Sequence, residues 1–559
     1  MHAALRSALR ARRALLITSL SVGAAATTLG LGAWAVQTSC RKPLRLEAPH
    51  ALTKAQTIAG QTDKPRVISM EEVRTHRSKA DCWVVLGDHV YDACKFTNSV
   101  SILYSPCIEL TLLGTFCYVH EQPGGEAVIL KAAGTDVTTL FDKIHPPKTL
   151  EKNQDLLGEP VGVVDPATRP KDEESDEALQ EKARLQKARE ALPAVELVRG
   201  LAEMERLANT LLAPRAKIYY AGGSDDEQSL RDSFASYQRC RFRPRVLVDV
   251  SEVDPRTTVL NCASTLPIYI APAAYARLGH ELGEFNLTRG ASKTGIVQGI
   301  SANASQSFDD ILAEKATMDA SGRAPVGMVY QVYVNRDRRQ TEAIMKQARE
   351  GGCQAFFLTV DSPTLGNRED DVRAQGLAGS MDDQPHNFPN KSTYSYYDTS
   401  VEWKDVAWIK QAAGGLPVYI KGVATHEDVE LARKAGVAGV VLSNHGGRQL
   451  DSVRSPLDTL LELRRVDPTL LTDLEVYIDG GVRRGTDVLK ALCLGAKGVG
   501  LGRPFLYAQT AYGEDGVVRA VRIMEEEILT GMRLLGVKKL SELRPELVEC
   551  LENQYRIPL

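Results

Sequence analysis

The chain has 559 residues, 43% apolar and 25% charged, a globular composition that excludes wholesale disorder and exceeds one ordinary domain. A formal charge of −3 excludes a basic, phosphate-seeking surface, so no nucleic-acid partner is expected. Ten cysteines without a C-x-x-C pair indicate neither a disulfide scaffold nor a zinc ribbon.

The amino terminus reads as an address. Arg6, Arg10, Arg12 and Arg13 precede the first acidic residue, Glu47, and an acid-free, Arg-rich start is the composition of a mitochondrial transit peptide. Ala14 to Val36 then runs without a charge, long enough to span a bilayer as a helix. A matrix-type signal followed by a stop-transfer segment predicts delivery to the mitochondrial intermembrane space, with transient membrane contact through 14–36 before processing. A plain anchor or a secretory signal is the alternative. Residues 1–45 are kept out of the fold. Removing residues 1–40, which hold four Arg and no acid, takes the formal charge from −3 to −7.

From Val67 the pattern changes. Ser69 and Glu72 predict the capping box of a short helix, and Trp83–Leu86 with Val90–Tyr91 predict two strands around a Gly87-Asp88 turn. Lys95-Phe96, Pro123-Gly124-Gly125, A-G-T-D-V-T at 133–138, Phe141 and His145 follow. These motifs resemble a small α+β cytochrome b5-type haem domain over residues 66–165. The resemblance implies haem b with His145 as one iron ligand. Gln122 stands where it calls for the other histidine, and an amide is a poor haem ligand beside imidazole. His120, two residues upstream, is the nearest substitute. The apolar run 99–119, broken by Pro106 and Glu109, reads as inserted text, a translated non-coding segment that has displaced the ligand codon. His76 and His89 are expected to be surface residues.

Residues 166–195 begin with a charge-dense stretch that cannot bury a core, and they read as a solvated, part-helical hinge. Beyond it, over 196–559, apolar runs alternate with amphipathic segments. The runs are Pro267–Ala274, Gly295–Ser301, Met328–Val334, Ala355–Asp361, Leu416–Val423, Gly439–Asn444, Glu475–Gly481 and Gly498–Gly502, with helices such as His426–Ala435 and Thr486–Leu494 between. Eight βα units predict an α/β fold, a (β/α)8 barrel. A doubly wound open sheet is the alternative, but no G-x-G-x-x-G follows the first strand. The stretch from Leu365 to Lys404 is too long for a simple connection and predicts a mobile active-site loop.

Polar residues collect where a barrel places its chemistry, at the carboxyl ends of strands: Ser301, Gln331, Tyr333, Thr359, Asp361, Lys421, His445, Asp479 and Arg503. The last two strands end in D-G-G-V-R-R-G and G-L-G-R-P-F. Asp479, Gly480, Gly481, Arg483, Gly502 and Arg503 there suit a phosphate, through exposed backbone N–H groups and guanidinium forks. The string S-N-H-G-G-R-Q-L-D at 443–451 is the most specific one in the chain. Together with Y-Y-A-G-G-S-D-D-E, R-F-R-P-R-V-L-V-D-V, Y-Q-V-Y-V, L-T-V-D-S-P-T-L-G-N-R-E and I-K-G-V it resembles the FMN-dependent α-hydroxy-acid oxidases and dehydrogenases through nearly all of residues 196–545.

That resemblance implies FMN, a small 2-hydroxy-acid substrate and a role for each residue. His445 is the base, paired with Asp361, and Arg448 clamps the substrate carboxylate, assisted by Tyr219 and Arg368. Tyr333 bonds the substrate hydroxyl. Lys421 stands beside the flavin N1–C2 edge, while Ser301, Gln331, Thr359 and the backbone at Ala273 contact its ring. Two positions depart from the family. The turn after the first strand is A-P-A-A, which removes one side-chain contact to FMN. Asn303 replaces the apolar residue expected against a lactate methyl, which leaves open a substrate with a polar side chain. With the haem-like module in front, L-lactate is the default substrate, cytochrome c the expected acceptor and a homotetramer the expected assembly. An oxidase that makes hydrogen peroxide with an inactive haem module is the alternative.

Overall fold

The structure, a computed structural model, describes residues 66–94, 130, 132–138, 141, 159–169, 176–321, 326–374 and 397–551. Residues 1–45, read as an address, and the run 99–119, read as inserted text, lie outside these residues, as do His120, Gln122 and His145. Among the described residues no helix is long and apolar enough to cross a membrane.

The first module is a five-stranded sheet of β1 (Val67–Ile68), β2 (Arg77–Ser78), β3 (Asp81–Leu86), β4 (His89–Asp92) and β5 (Gly162–Val164), in the order β1-β5-β4-β3-β2. Helix α1 (Met70–Thr75) starts where Ser69 accepts a hydrogen bond from the Glu72 amide, one half of the expected capping box. The two-residue period of β3 separates two cores. Val85 packs with Ile68, Val73, Val90 and Val164 on one face, and Cys82, Val84 and Leu86 pack with Tyr91, Ala133 and Phe141 on the other. Arg169 ties the strand turn to the A-G-T-D-V-T motif, donating to Asp136 at 2.8 Å and Asp88 at 2.9 Å. Within the expected hinge the chain forms helix α2 (Asp176–Glu190).

The second module is a closed parallel barrel: β9 (Ile268–Ile270), β10 (Val297–Ile300), β11 (Met328–Val332), β12 (Ala355–Thr359), β13 (Val418–Val423), β14 (Gly439–Leu442), β15 (Glu475–Asp479) and β16 (Gly498–Leu501), which pairs back onto β9. All eight expected strands form, each within its expected run. The helix expected at His426–Ala435 forms over those residues, capped by Thr425. A hairpin of β7 (Thr257–Val259) and β8 (Cys262–Ser264) plugs the amino-terminal mouth, where the Leu260 amide donates to Tyr477 Oη at 2.8 Å.

The barrel's period of two explains the position of the functional side chains. Val329, Phe357, Tyr419 and Tyr477 form an inward-facing apolar layer, while their neighbours Tyr330, Phe356, Ile420 and Ile478 face the helices. Two residues beyond each inward residue, on the same face, come Gln331, Thr359, Lys421 and Asp479. The top layer of the barrel interior is therefore polar because the strands run one pleat past their core.

One feature had no announcement in the sparse cysteines: β6 (Cys240–Phe242) pairs with β17 (Val548–Cys550), and a disulfide joins Cys240 to Cys550 across that pair.

Candidate active site

A cleft opens at the carboxyl ends of the strands, and its walls include fifteen of the sequence-predicted residues. They are Tyr219, Ala273, Ser301, Gln331, Tyr333, Arg368, Lys421, His445, Arg448, Asp479, Gly480, Gly481, Arg483, Gly502 and Arg503. Thr359 and Asp361 stand one shell back, each hydrogen-bonded to a lining residue.

His445 follows β14 with φ of +56°, and Gly446 and Gly447 continue in the left-handed region. Such a run of strained backbone persists where the surroundings over-determine it. Here the Ser443 hydroxyl accepts the His445 amide, Asn444 Oδ1 accepts the Gly447 amide, and Arg503 donates to the Gly446 carbonyl. The result aims the imidazole at Asp361, with Nδ1 and Oδ1 2.9 Å apart. A carboxylate can only accept, so Nδ1 carries the proton and Nε2 is the nitrogen left to take one. Burial would raise the Asp361 pKa, but His445 and Lys421, with hydrogen bonds from His445 and Ser362, outweigh it and hold the carboxyl below the usual range.

Asp361 reaches this place because residue 422 is glycine. Gly422 has φ of +105°, and a Cβ there would lie 2.5 Å from Asp361 Cβ. The irregular pairing of β13 with β14 between Lys421 and Val423 marks the same spot. Lys421 itself is buried, donating to Ser443 Oγ at 3.0 Å and lying 3.2 Å from Asp479. Burial alone would push its ammonium down, but Asp479 and Asp361 hold its pKa above the ordinary lysine value.

Two arginines face the same cleft over Tyr219, with Arg448 Cζ 4.6 Å and Arg368 Cζ 5.3 Å from the ring centre. Arg448 Nη1 is anchored on the Tyr219 carbonyl at 2.6 Å. Asp371, on a short helix over Glu369–Ala374 within the expected loop, binds Arg368 at 2.9 Å. Part of that loop is therefore helical, and residues 375–396 lie outside the described ones. Opposite, Gln331 Nε2 donates to Tyr333 Oη at 3.1 Å and Thr359 Oγ1 at 3.2 Å, and its Oε1 accepts from Ser301 and the Ala302 amide.

At the last two strands, Arg503 donates to the carbonyls of Tyr220, Gly446 and Gly222, each at 2.8 Å. Among the described residues no carboxylate lies within ion-pair distance of it, although Glu205 acts on it from further away. Burial, then Arg448 and Arg483, push its pKa down to about 9. Gly481 has φ of +76°, and a Cβ there would meet the Ser233 carbonyl at 2.1 Å. A half-buried guanidinium under mutual repulsion, beside bare glycine backbone and a helix amino terminus at Arg503, fits a phosphate dianion. The polar ring of Ser301, Gln331, Thr359 and Lys421 fits the heterocycle that such a phosphate would carry.

Three residues that the sequence reading did not single out belong to the site. Ser443 receives Lys421. Ser362 Oγ donates to Asp361 and lies 3.4 Å from His445 Nδ1. Gln449 Nε2 donates to the Asp361 and Thr364 carbonyls at 2.7 and 2.9 Å, stapling the β12 loop to the β14 loop. Ser443 and Gln449 sit inside the S-N-H-G-G-R-Q-L-D string, which was their only signal.

A barrel with a phosphate-anchored cofactor site, an imidazole–carboxylate dyad and two arginines facing one cleft defines a flavin-dependent oxidoreductase for carboxylate-bearing substrates. The comparisons give the family: residues 208–550 match FMN-dependent dehydrogenase, and residues 117–179 match the cytochrome b5-like heme/steroid binding domain. The chain belongs to the FMN-dependent dehydrogenase family. It is 40% identical to L-lactate dehydrogenase (cytochrome) of Wickerhamomyces anomalus, over 86% of this chain and 80% of that protein. It is 36% identical to glycolate oxidase 1 of Zea mays, over 62% of this chain and 94% of that one. The flavin-binding domain of baker's yeast flavocytochrome b2 superposes with a TM-score of 0.61 at 41% identity, covering 67% of this chain and 92% of that domain. The expected pairing of a cytochrome b5-like domain with an FMN barrel is thus the domain content of the chain.

Proposed function

We propose that the chain oxidises an L-2-hydroxy acid, L-lactate by default, to the 2-oxo acid with FMN as first electron acceptor, and passes the electrons through haem to cytochrome c. The observation that carries this reading is the His445–Asp361 pair at 2.9 Å in a cleft shared with Arg448, Arg368 and Tyr333. The two arginines hold the substrate carboxylate. Tyr333, fixed by Gln331, bonds the hydroxyl. His445 Nε2 takes a proton from the substrate, and Asp361 stabilises the imidazolium that results. Lys421 supplies fixed positive charge at the barrel mouth. FMN, held by Arg483, Arg503 and the loops around Gly480, Gly481 and Gly502, supplies the two-electron acceptor.

The haem would occupy the cytochrome b5-like module. The face of Cys82, Val84, Leu86 and Ala133, with Leu130, Val137 and Phe141 packed on it, gives an apolar wall suited to a porphyrin. His145 and His120 remain its proposed ligands. The composition of residues 1–45 supports the intermembrane space as the site of action, with transient membrane contact through 14–36. The charge of −7 without residues 1–40 complements a basic acceptor such as cytochrome c, and family resemblance supports a homotetramer.

Gln122 and the likeness to glycolate oxidase favour a second reading, an oxidase with an inactive haem module. Steady-state assays on the purified full chain in air separate the two. The first reading expects a sharp haem absorbance band, two cytochrome c molecules reduced for each substrate molecule consumed, and little peroxide. Stoichiometric hydrogen peroxide with cytochrome c untouched would replace it by the second.

A further inference from the structure

The wall of the cleft beside Tyr333 is polar where a methyl group would want carbon. Asn303 lines the cleft together with Tyr333, His445 and Arg448. Its backbone is pinned on both sides: its amide donates to Ser301 Oγ at 3.1 Å, and its carbonyl accepts from the Tyr275 amide at 3.3 Å. The loop that carries it is moored on a buried carboxylate, because Glu284 accepts from the amides of Ser305 and Gln306 and from the Ser305 hydroxyl. The amide side chain is therefore presented on a fixed loop.

Behind it stands Tyr397, buried to 6% exposure. Its ring lies on that of Tyr333 with centroids 4.7 Å apart, and its hydroxyl donates to Asn303 Oδ1 at 3.4 Å. One end of the Asn303 amide thus belongs to Tyr397, and the other end meets no partner among the described residues and faces whatever the cleft holds. Exchange of the two amide atoms would change which of them faces the cleft and would leave one polar atom there in either case. A hydrocarbon placed against that atom strips it of water and returns no hydrogen bond, whereas a hydroxyl satisfies it as donor or acceptor.

We infer that Asn303, oriented by Tyr397, selects 2-hydroxy acids that carry a hydroxyl group on C3. The inference rests on the proposed oxidation at His445 and narrows its substrate class. Among the described residues the wall beside Tyr333 offers an amide and a phenol and no charge of its own, so the matching group is neutral and hydrogen-bonding rather than a second carboxylate.

The test uses the full-length holoenzyme and a pair of substrates matched in shape, L-glycerate and L-2-hydroxybutyrate, which differ by hydroxyl against methyl on C3. Flavin reduction and steady-state kcat/KM are measured for each. The wild-type protein is expected to favour L-glycerate by about tenfold, the worth of one hydrogen bond together with the penalty for leaving its partner unmade. Asn303→Leu is expected to invert that ratio. Tyr397→Phe, which keeps the ring and removes only the hydroxyl, is expected to bring the ratio toward unity while leaving the fold intact. A wild-type preference for L-2-hydroxybutyrate, or a ratio that neither variant moves, overturns the inference and leaves the proposed oxidation standing. Failure of every 2-hydroxy acid, L-lactate included, to reduce the flavin overturns the proposed oxidation itself.

Discussion

Replacing His445 by Gln is expected to lower turnover with a 2-hydroxy acid by about 10²–10⁴-fold while flavin stays bound, measured as initial rates on flavin-normalised protein. The glutamine amide preserves size and can still donate to Asp361, but it accepts no proton at physiological pH. The loop it stands on is held by contacts that do not involve the ring: Ser443 takes the residue-445 amide, Arg503 the Gly446 carbonyl, and Asn444 the Gly447 amide. The variant therefore removes the base and leaves its platform. The left-handed conformation at residue 445 favours histidine over glutamine, a modest backbone cost that the three loop contacts are expected to absorb. A loss of flavin or of fold is not expected, so rate and spectrum should part company. Unchanged turnover would remove His445 from the mechanism.

Replacing Lys421 by Met is expected to be the costliest single change in the barrel, about 3–5 kcal/mol of stability, read from the midpoint of urea unfolding. Lys421 is 3% exposed and holds the only positive charge within ion-pair distance of Asp479 among the described residues. The thioether fills the space but satisfies neither Asp479 nor the Ser443 hydroxyl. Asp361, buried beside the same ammonium, loses part of what keeps it ionised. The damage then reaches catalysis through the dyad as well as through the flavin site. Met also removes the fixed charge at the barrel mouth, so the protein is expected to emerge with less flavin, seen in the ratio of visible to protein absorbance. A stable, flavin-replete Lys421→Met protein would show that Asp479 and Asp361 tolerate isolation.

Much of the barrel was legible in the sequence because most of its strands are short apolar runs closed by a polar residue, the first strand, which passes into A-P-A-A, being the exception. Lys421 and Asp479 stand out for that reason: each ends a stretch that is otherwise Val, Ile and Tyr. The helix at His426–Ala435 was legible to the residue because Thr425 caps it and Gly436 ends it in the left-handed region. What the sequence hid were contacts between separate loops. Gly422 looks like one more glycine in a strand until Asp361, sixty-one positions earlier, is found against it. Gln449 had only its place in the 443–451 string as a signal, because both carbonyls it binds come from the other loop, and the reach of Ser362 to His445 likewise crosses between loops. The Cys240–Cys550 disulfide spans 310 residues and could not be read from spacing. The short helix at Glu369–Ala374 was missed because a polar stretch rich in Asp and Arg reads as loop when its buried anchor, Asp371, is invisible. Asn303 went the other way: the sequence raised a polar residue in the substrate pocket, and the structure supplied Tyr397 as its partner.

Anaerobic addition of L-lactate to the purified holoenzyme observes the reaction at this cleft directly. The flavin absorbance of the wild-type protein is expected to bleach as the substrate's electrons arrive, and the His445→Gln protein is expected to stay oxidised over the same interval. A wild-type flavin that keeps its colour under saturating L-lactate and other 2-hydroxy acids, or a His445→Gln flavin that bleaches equally fast, would contradict the assignment of this cleft as a 2-hydroxy-acid dehydrogenase site.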